Sequence, residues 1–319
     1  MSRAQVVVVG AGIAGAACAS VLVAHGLDVV VRERENEIGG RLAAPSLHGR
    51  RVDLGAAYFT VGDNDFADTA AGWERAGLAR EWTDTLDAIS QDGRQRKSGP
   101  MRWAAPGGLA TLAAHVFRES GIDVELTAQV RGVSDVAVAC DAVVLAMPDP
   151  QAVRILGGRA DADEFDPVAY DPVIAVAATF PTRSWDLDAA FVNDDPHIAL
   201  IADDGARRGD GAPVLVAHST PELARQHAED PQAAIEPMLT AVRRVLAVDA
   251  PPQWTAVRDW RDAKPTGTHG DAAYALLDTA DGPVGVCGDS WCPSGSPRVE
   301  SAWLSGHRLG AELAGRLTG

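Results

Sequence analysis

One stretch constrains this chain more than any other: Val6–Leu22, reading VVVVGAGIAGAACASVL. Its β-branched run favours a strand, and the alanine-rich continuation favours a helix. Between them stand Gly10, Gly12 and Gly15, spaced G-x-G-x-x-G. Gly10 permits a tight turn, Gly12 keeps side-chain bulk away from an approaching pyrophosphate, and Gly15 lets the helix pack closely on the strand. A helix starting here leaves the backbone N–H groups around Ala11, Ile13 and Ala14 free to bind an anion, and its dipole favours one. The spacing therefore predicts a dinucleotide-binding strand–turn–helix.

Two other readings fit the same residues. Val6–Ala24 carries no charged side chain, which suits a membrane span or a secretion signal. The residues after it argue against both. A second β-run, LDVVVRE, comes directly after Gly26, a good helix stop. Its Glu33 stands about 20 residues past the glycines, where a ribose-binding acid belongs, and is expected to accept hydrogen bonds from both ribose hydroxyls. Arg34 beside it has two readings, selection of a 2′-phosphate or a solvated charge; the preceding acid favours an unphosphorylated ribose.

A chain of 319 residues suggests two domains, or one large domain with an insertion. Its net charge of −16 argues against nucleic acid or an anionic membrane surface as partner, since either needs a basic face. Cys18, Cys140, Cys287 and Cys292 form no metal-ligand spacing, and the eight histidines show no paired spacing. No metal site is expected; His48, His269 and His307 read as surface or structural. Such cysteine usage suits a reducing cytoplasm. No later stretch is apolar enough to span a membrane.

Two further motifs carry chemistry. Gly39-Gly40-Arg41 follows the ribose acid closely and leads into DLGAAYFT, Asp53–Thr60. Paired glycines let backbone approach a ligand, and an arginine can pair with pyrophosphate. Near the other end, the strand Val284–Cys287 delivers Gly288-Asp289 at its C-terminal end. A helix from Val299 to Leu317 comes next, with Ser301, Ala302, Ser305 and Gly306 near its start.

Between the motifs the patterning predicts a helix around Phe66–Leu78 and a hairpin over Arg80–Arg96 turning at Asp92-Gly93. It predicts a helix over Leu109–Glu119, short strands at Ile122–Leu126 and Gln129–Val133, and a buried strand at Asp141–Met147. Pro172–Phe180, Ile198–Asp203, Val214–Ser219 and Gln253–Arg261 read as strands of a mixed sheet, and Gln232–Val248 as a helix with an apolar stripe. Asp203–Gly211, DDGARRGDG, reads as a mobile loop.

The G-G-R segment, DLGAAYFT and the C-terminal G-D with its helix together resemble the flavin-dependent amine oxidase superfamily, and DLGAAYFT looks most like its renalase-type branch. This resemblance implies an α/β fold: a Rossmann-type FAD-binding domain, of the glutathione-reductase-like kind, with a discontinuous α+β substrate domain on a mixed sheet. Residues 1–60, 100–150 and 282–319 would form the first, and 61–99 and 151–281 the second. FAD would lie along Gly10, Ala11, Gly12, Ile13, Ala14, Gly15, Glu33, Arg34, Gly40, Arg41, Gly55 and Ala56. Val130 would pack on the adenine, Asp289 beside Gly288 would accept from a ribityl hydroxyl, and Ser301 and Ala302 would bring a helix N-terminus to the ring. Some amine oxidases tether the ring through a cysteine before the last strand; Cys287 lies inside that strand and Cys292 after it, so FAD is expected to be non-covalent. The flavin carries the chemistry. Tyr58, Trp260 and Lys264 are the side-chain candidates beside it, with Tyr58, Phe59, Trp103 and Trp260 lining the substrate; each has a plainer reading as core aromatic or surface lysine. The resemblance implies oxidation of dihydro-NAD(P) isomers with dioxygen as acceptor. The alternatives are a flavin amine oxidase, or a flavin- or nucleotide-binding protein without turnover.

Overall fold

The computed structural model describes residues 5–137, 140–158, 165–293 and 295–319; residues 1–4 of the expected 1–60 segment lie outside them. In chain order the first elements are β1 (Gln5–Val9), α1 (Ile13–Ala24), β2 (Asp28–Arg32), β3 (Ser46–Leu47), β4 (Arg50–Arg51), β5 (Phe59–Thr60), α2 (Asn64–Arg75), β6 (Arg80–Ser90) and β7 (Gly93–Ala104). Next come α3 (Ala110–Glu119), β8 (Val124–Glu125), α4 (Ser134–Ala137), β9 (Ala142–Ala146), α5 (Asp149–Leu156), β10 (Tyr170–Thr179), β11 (Ala189–Val192) and β12 (Ile198–Asp203). The chain closes with α6 (Asp204–Arg208), β13 (Val214–Ser219), α7 (Pro221–Gln226), α8 (Ile235–Leu246), β14 (Trp254–Pro265), β15 (Ala275–Thr279), β16 (Gly282–Cys287) and α9 (Val299–Thr318).

Two large sheets organise these elements, and β3 and β4 pair with each other in a small antiparallel ladder. The first has the order β15-β16-β9-β1-β2-β8 and is parallel except for the edge strand β15. Its inner strands are buried on both faces, which is why β1 and β9 read as unbroken apolar runs. The second sheet is mixed, with the order β14-β10-β13-β12-β11-β6-β7-β5. One of its faces packs on α7 and α8 through Ile174, Val176 and Leu215, and the other turns Ala175, Ala177 and Val216 toward Val52 and Leu54.

α1 and α9 lie against each other on the first sheet. A Cβ added at Gly306 would meet the Ala14 carbonyl oxygen at 2.0 Å, and one at Gly310 would meet that of Cys18 at 2.8 Å. The small residues of α9 thus serve helix–helix contact as well as the approach to a ligand. α1 is 12 residues long and follows a strand. No described helix is long and apolar enough to cross a membrane.

Three expectations need correction. Gln129–Val133 is not a strand: Thr127 takes a left-handed φ of 54°, and the Thr127 and Ala128 N–H groups donate to Glu35 and Glu33 carbonyls instead of extending a ladder. The sheet boundaries also shift. β7 runs on to Ala104 in the mixed sheet, past the boundary at 99, because Pro100 sits where the strand is exposed and no donor is required. β15 joins the first sheet, ahead of the boundary at 282, through its hairpin with β16. Finally, Asp203–Gly211 is no free loop. Asp203 and Asp204 are 0% exposed and Arg207 1%. Charge density read as solvation is self-neutralised burial: Asp204 pairs with Arg50, Arg207 and Arg208, Arg208 with Asp53, and Arg50 with Asp210.

Candidate functional site

A cavity of about 1290 Å³ opens at the C-terminal ends of β1, β2, β9 and β16 and extends under the mixed sheet. Ligands bind at this end of an open α/β sheet because helix N-termini converge there.

The glycine turn forms the near wall. Gly10 has φ 110°, and a Cβ there would sit 2.5 Å from the Ala146 carbonyl oxygen. At Gly15 a Cβ would sit 2.1 Å from the Gly10 carbonyl oxygen. These two glycines are required by packing. Gly12 differs: its φ of −79° and ψ of −176° suit any residue, and a Cβ would meet nothing closer than 4.0 Å. Gly12 caps α1 without any side-chain hydrogen bond, and the first turn has no acidic residue. The uncapped N–H groups face the cavity beside Gly12, Ile13 and Ala14, an arrangement suited to a pyrophosphate.

Glu33 lies on the same wall, 6% exposed. One carboxylate oxygen accepts from Ala11 N–H at 2.8 Å and the other from Glu35 N–H at 2.9 Å. Those bonds fix the carboxylate and leave further lone pairs for ribose hydroxyls. Arg34 lines the cavity with its side chain half exposed and pairs with Glu35 at 3.4 Å. Gly40, Gly55, Ala56, Val130, Gly288 and Ala302 also line it.

Arg41 and Asp289 meet across the middle. Two parallel bonds of 2.7 and 2.8 Å join guanidinium to carboxylate, Arg41 also donates to the Ala263 carbonyl, and the Tyr170 hydroxyl donates to Asp289 at 3.1 Å. Burial works against the Arg41 charge, but Asp289 more than offsets it, so its pKa lies above the usual arginine value. Burial and then Asp289 push the Tyr170 phenol up, keeping it a donor. The two residues expected at separate parts of one ligand are therefore a single bidentate pair in this structure.

At the far end the mixed sheet contributes Val173, His218, Trp260 and Lys264. Val173 and Trp260 are partners across β10 and β14. The Trp260 indole N–H donates to the Leu54 carbonyl at 2.7 Å, and Arg258 stacks 4.8 Å above its ring. Burial lowers the Lys264 pKa against the opposing pull of Asp171.

Other expected residues lie elsewhere. Ala11 is fully buried and offers its N–H to Glu33, and Gly15 is buried under the turn. Ser301 joins the cap of α9, accepting from Arg298 N–H and donating to the Asp289 carbonyl. Phe59 is 1% exposed in an aromatic cluster with Phe66, Trp73 and Trp103. Tyr58 packs near Trp82 and under Arg102. None of Tyr58, Phe59 and Trp103 lines the cavity. His218 was not signalled by the sequence: a histidine inside an apolar strand shows its neighbours only once the sheet is formed. Among the described residues no group of three or more potential metal ligands converges.

A model for an NAD(P)-binding Rossmann-like domain matches residues 8–70, and one for flavin containing amine oxidoreductases matches residues 64–313. The chain belongs to the flavin-containing amine oxidoreductase family. This family member is an FAD-dependent oxidoreductase with a Rossmann-like nucleotide-binding fold. It is 24% identical to renalase from Mus musculus over 308 residues, which cover 85% of this chain and 87% of that one. Its fold is similar to cyclohexylamine oxidase from Brevibacterium oxydans, with TM-score 0.73 and 15% identity over the full length of both. Putrescine oxidase bound to putrescine gives TM-score 0.69 and 17% identity, covering 99% of this chain and 100% of that one.

Proposed function

We propose that this oxidoreductase binds FAD non-covalently and oxidises misreduced dihydro-NAD(P) isomers, using dioxygen as acceptor. In this reading the Rossmann-side segments hold the cofactor and the mixed sheet roofs the substrate. The N-terminus of α1 with Gly12, Ile13 and Ala14 would hold the pyrophosphate, Glu33 the adenosine ribose, Val130 the adenine, Asp289 the ribityl chain, and Gly55, Ala56 and Ala302 the ring. When bound, flavin would supply the redox chemistry, a two-electron oxidation of the substrate with dioxygen reduced to peroxide. The chain's own residues orient: Trp260 offers a flat wall anchored to Leu54, and Lys264, lowered in pKa by burial, faces the cavity beside it.

The observation that carries the substrate reading is the lining at this end. Trp260 is the single phenylalanine, tyrosine or tryptophan on the cavity wall among the described residues. A pair of facing rings, suited to an aliphatic amine, is absent from that wall, and one flat surface suits a dihydropyridine ring. The four cysteines are free thiols, which supports a reducing, cytoplasmic setting.

Anaerobic stopped-flow mixing tests the substrate. Prompt flavin bleaching by dihydronicotinamide isomers, with none by primary amines, is the expected outcome; the reverse result assigns a classical amine oxidase, and bleaching by neither removes both enzyme readings. Attachment is tested by acid precipitation. None of the four cysteines lines the cavity, so the yellow chromophore is expected in the supernatant; colour remaining in the pellet would show a covalent bond.

A further inference from the structure

His218 is 8% exposed, lines the cavity, and belongs to no ion pair among the described residues. It sits on β13 opposite Ala175 of β10, on the sheet face that looks toward the Leu54–Ala56 segment. The Gly55 backbone acts on its ring in the sense that favours a protonated nitrogen. A neutral imidazole that donates through one nitrogen must accept through the other. Lys264 lies on the same wall, and no described carboxylate comes within ion-pair distance of its ammonium group.

We infer that His218 is a specificity-determining residue whose second ring nitrogen accepts a hydrogen bond from an uncharged N–H donor of the substrate, the primary carboxamide of a reduced nicotinamide. This rests on the proposed function and names the group by which that substrate is read.

The electrostatics agree with the geometry. Burial, then Lys264 and Arg207, drive the imidazole's pKa down to about 3. Surroundings that deny the ring a proton also disfavour an alkylammonium placed against it, since both are cations losing solvent. A carboxamide meets neither penalty. Its N–H can be accepted by the unprotonated ring nitrogen.

The test replaces only the donor. The holoenzyme is mixed anaerobically with misreduced isomers of NAD and of its 3-acetylpyridine analogue, in which a methyl group replaces the carboxamide NH₂. Binding is read separately from the shift each oxidised dinucleotide causes in the flavin spectrum. The wild-type protein is expected to favour the carboxamide by about tenfold in apparent Kd, the size of one hydrogen bond. H218L should erase that preference, and H218Q, whose amide oxygen can accept, should restore most of it. Equal binding of the two compounds by the wild type, or a preference that survives in H218L, overturns the role of His218 while leaving the proposed function standing. Bleaching by a primary amine and by neither dinucleotide overturns the proposed function and this inference with it.

Discussion

Gly12→Val is expected to give a folded protein that no longer takes up flavin, whereas Gly15→Ala is expected to destabilise the fold itself. The sequence presents both as members of one motif; the structure separates their roles. Gly12 has ordinary extended backbone angles, and a Cβ there would meet only the Gly39 carbonyl oxygen, at 4.0 Å. Nothing in the polypeptide requires glycine there, so its reason lies in what enters the cavity. An isopropyl group would stand between a pyrophosphate and the free N–H groups of α1. The expected loss in flavin affinity is at least 100-fold, or about 2.7 kcal/mol, with an unchanged far-ultraviolet spectrum and a melting temperature close to that of flavin-free wild type. At Gly15 a Cβ would sit 2.1 Å from the Gly10 carbonyl oxygen. Strand and helix would have to separate, at a cost of about 1–3 kcal/mol or more. A Gly12→Val protein that remains yellow after purification would contradict the proposed position of the pyrophosphate.

A second large effect is expected at Asp204. Its carboxylate is 0% exposed and faces Arg50, Arg207 and Arg208. Arg207 also holds the Ala57 carbonyl, and Arg208 reaches Asp53 and the Pro106 carbonyl. Removing the acid in Asp204→Ala strands buried guanidinium groups, and one lost partner of a buried pair costs about 3–5 kcal/mol. Urea denaturation should show the midpoint falling accordingly, while Asp210→Asn, whose pair with Arg50 is partly exposed, should cost under about 1 kcal/mol. Equal effects of the two changes would refute the assignment. The network also shapes acid stability. Burial alone would raise the Asp204 pKa, and its three arginines bring it below the usual value. Its contribution is therefore present above an unfolded pKa of about 3.9 and is lost as pH falls through the native value. Asp53 runs the other way, raised by burial despite Arg207 and Arg208, so the acid sensitivity of the whole is smaller than its ion pairs suggest.

These two sites mark what could be read from the sequence and what could not. The glycine turn, Glu33, Gly40-Arg41 and Gly288-Asp289 were legible because local chemistry dictates them: a turn, a helix start and a strand end each need particular residues. β1, β2, β9, β10, β12, β13 and β16 were legible from apolar runs for the same reason, whereas β11 and β15 were not anticipated. Asp203–Gly211 was not, because its aspartates and arginines neutralise one another and residues far away in the chain, such as Arg50 and Asp53. Tyr58, Phe59 and Trp103 were expected on a substrate wall, with a plainer reading as core aromatics. A strand, however, sends alternate side chains to opposite faces, and Phe59 falls on the side of α2. His218 depended on β10 and β13 pairing, a relation no local pattern contains.

The Arg41–Asp289 pair also bears on how the protein is made. A ribosome releases the aspartate 248 residues after the arginine. Until that region is made, β9 lacks its neighbour β16 and α1 lacks α9. Such distant contacts close slowly and leave the emerging chain incomplete. The two sides of the cavity therefore come together only once residue 289 and α9 have been made.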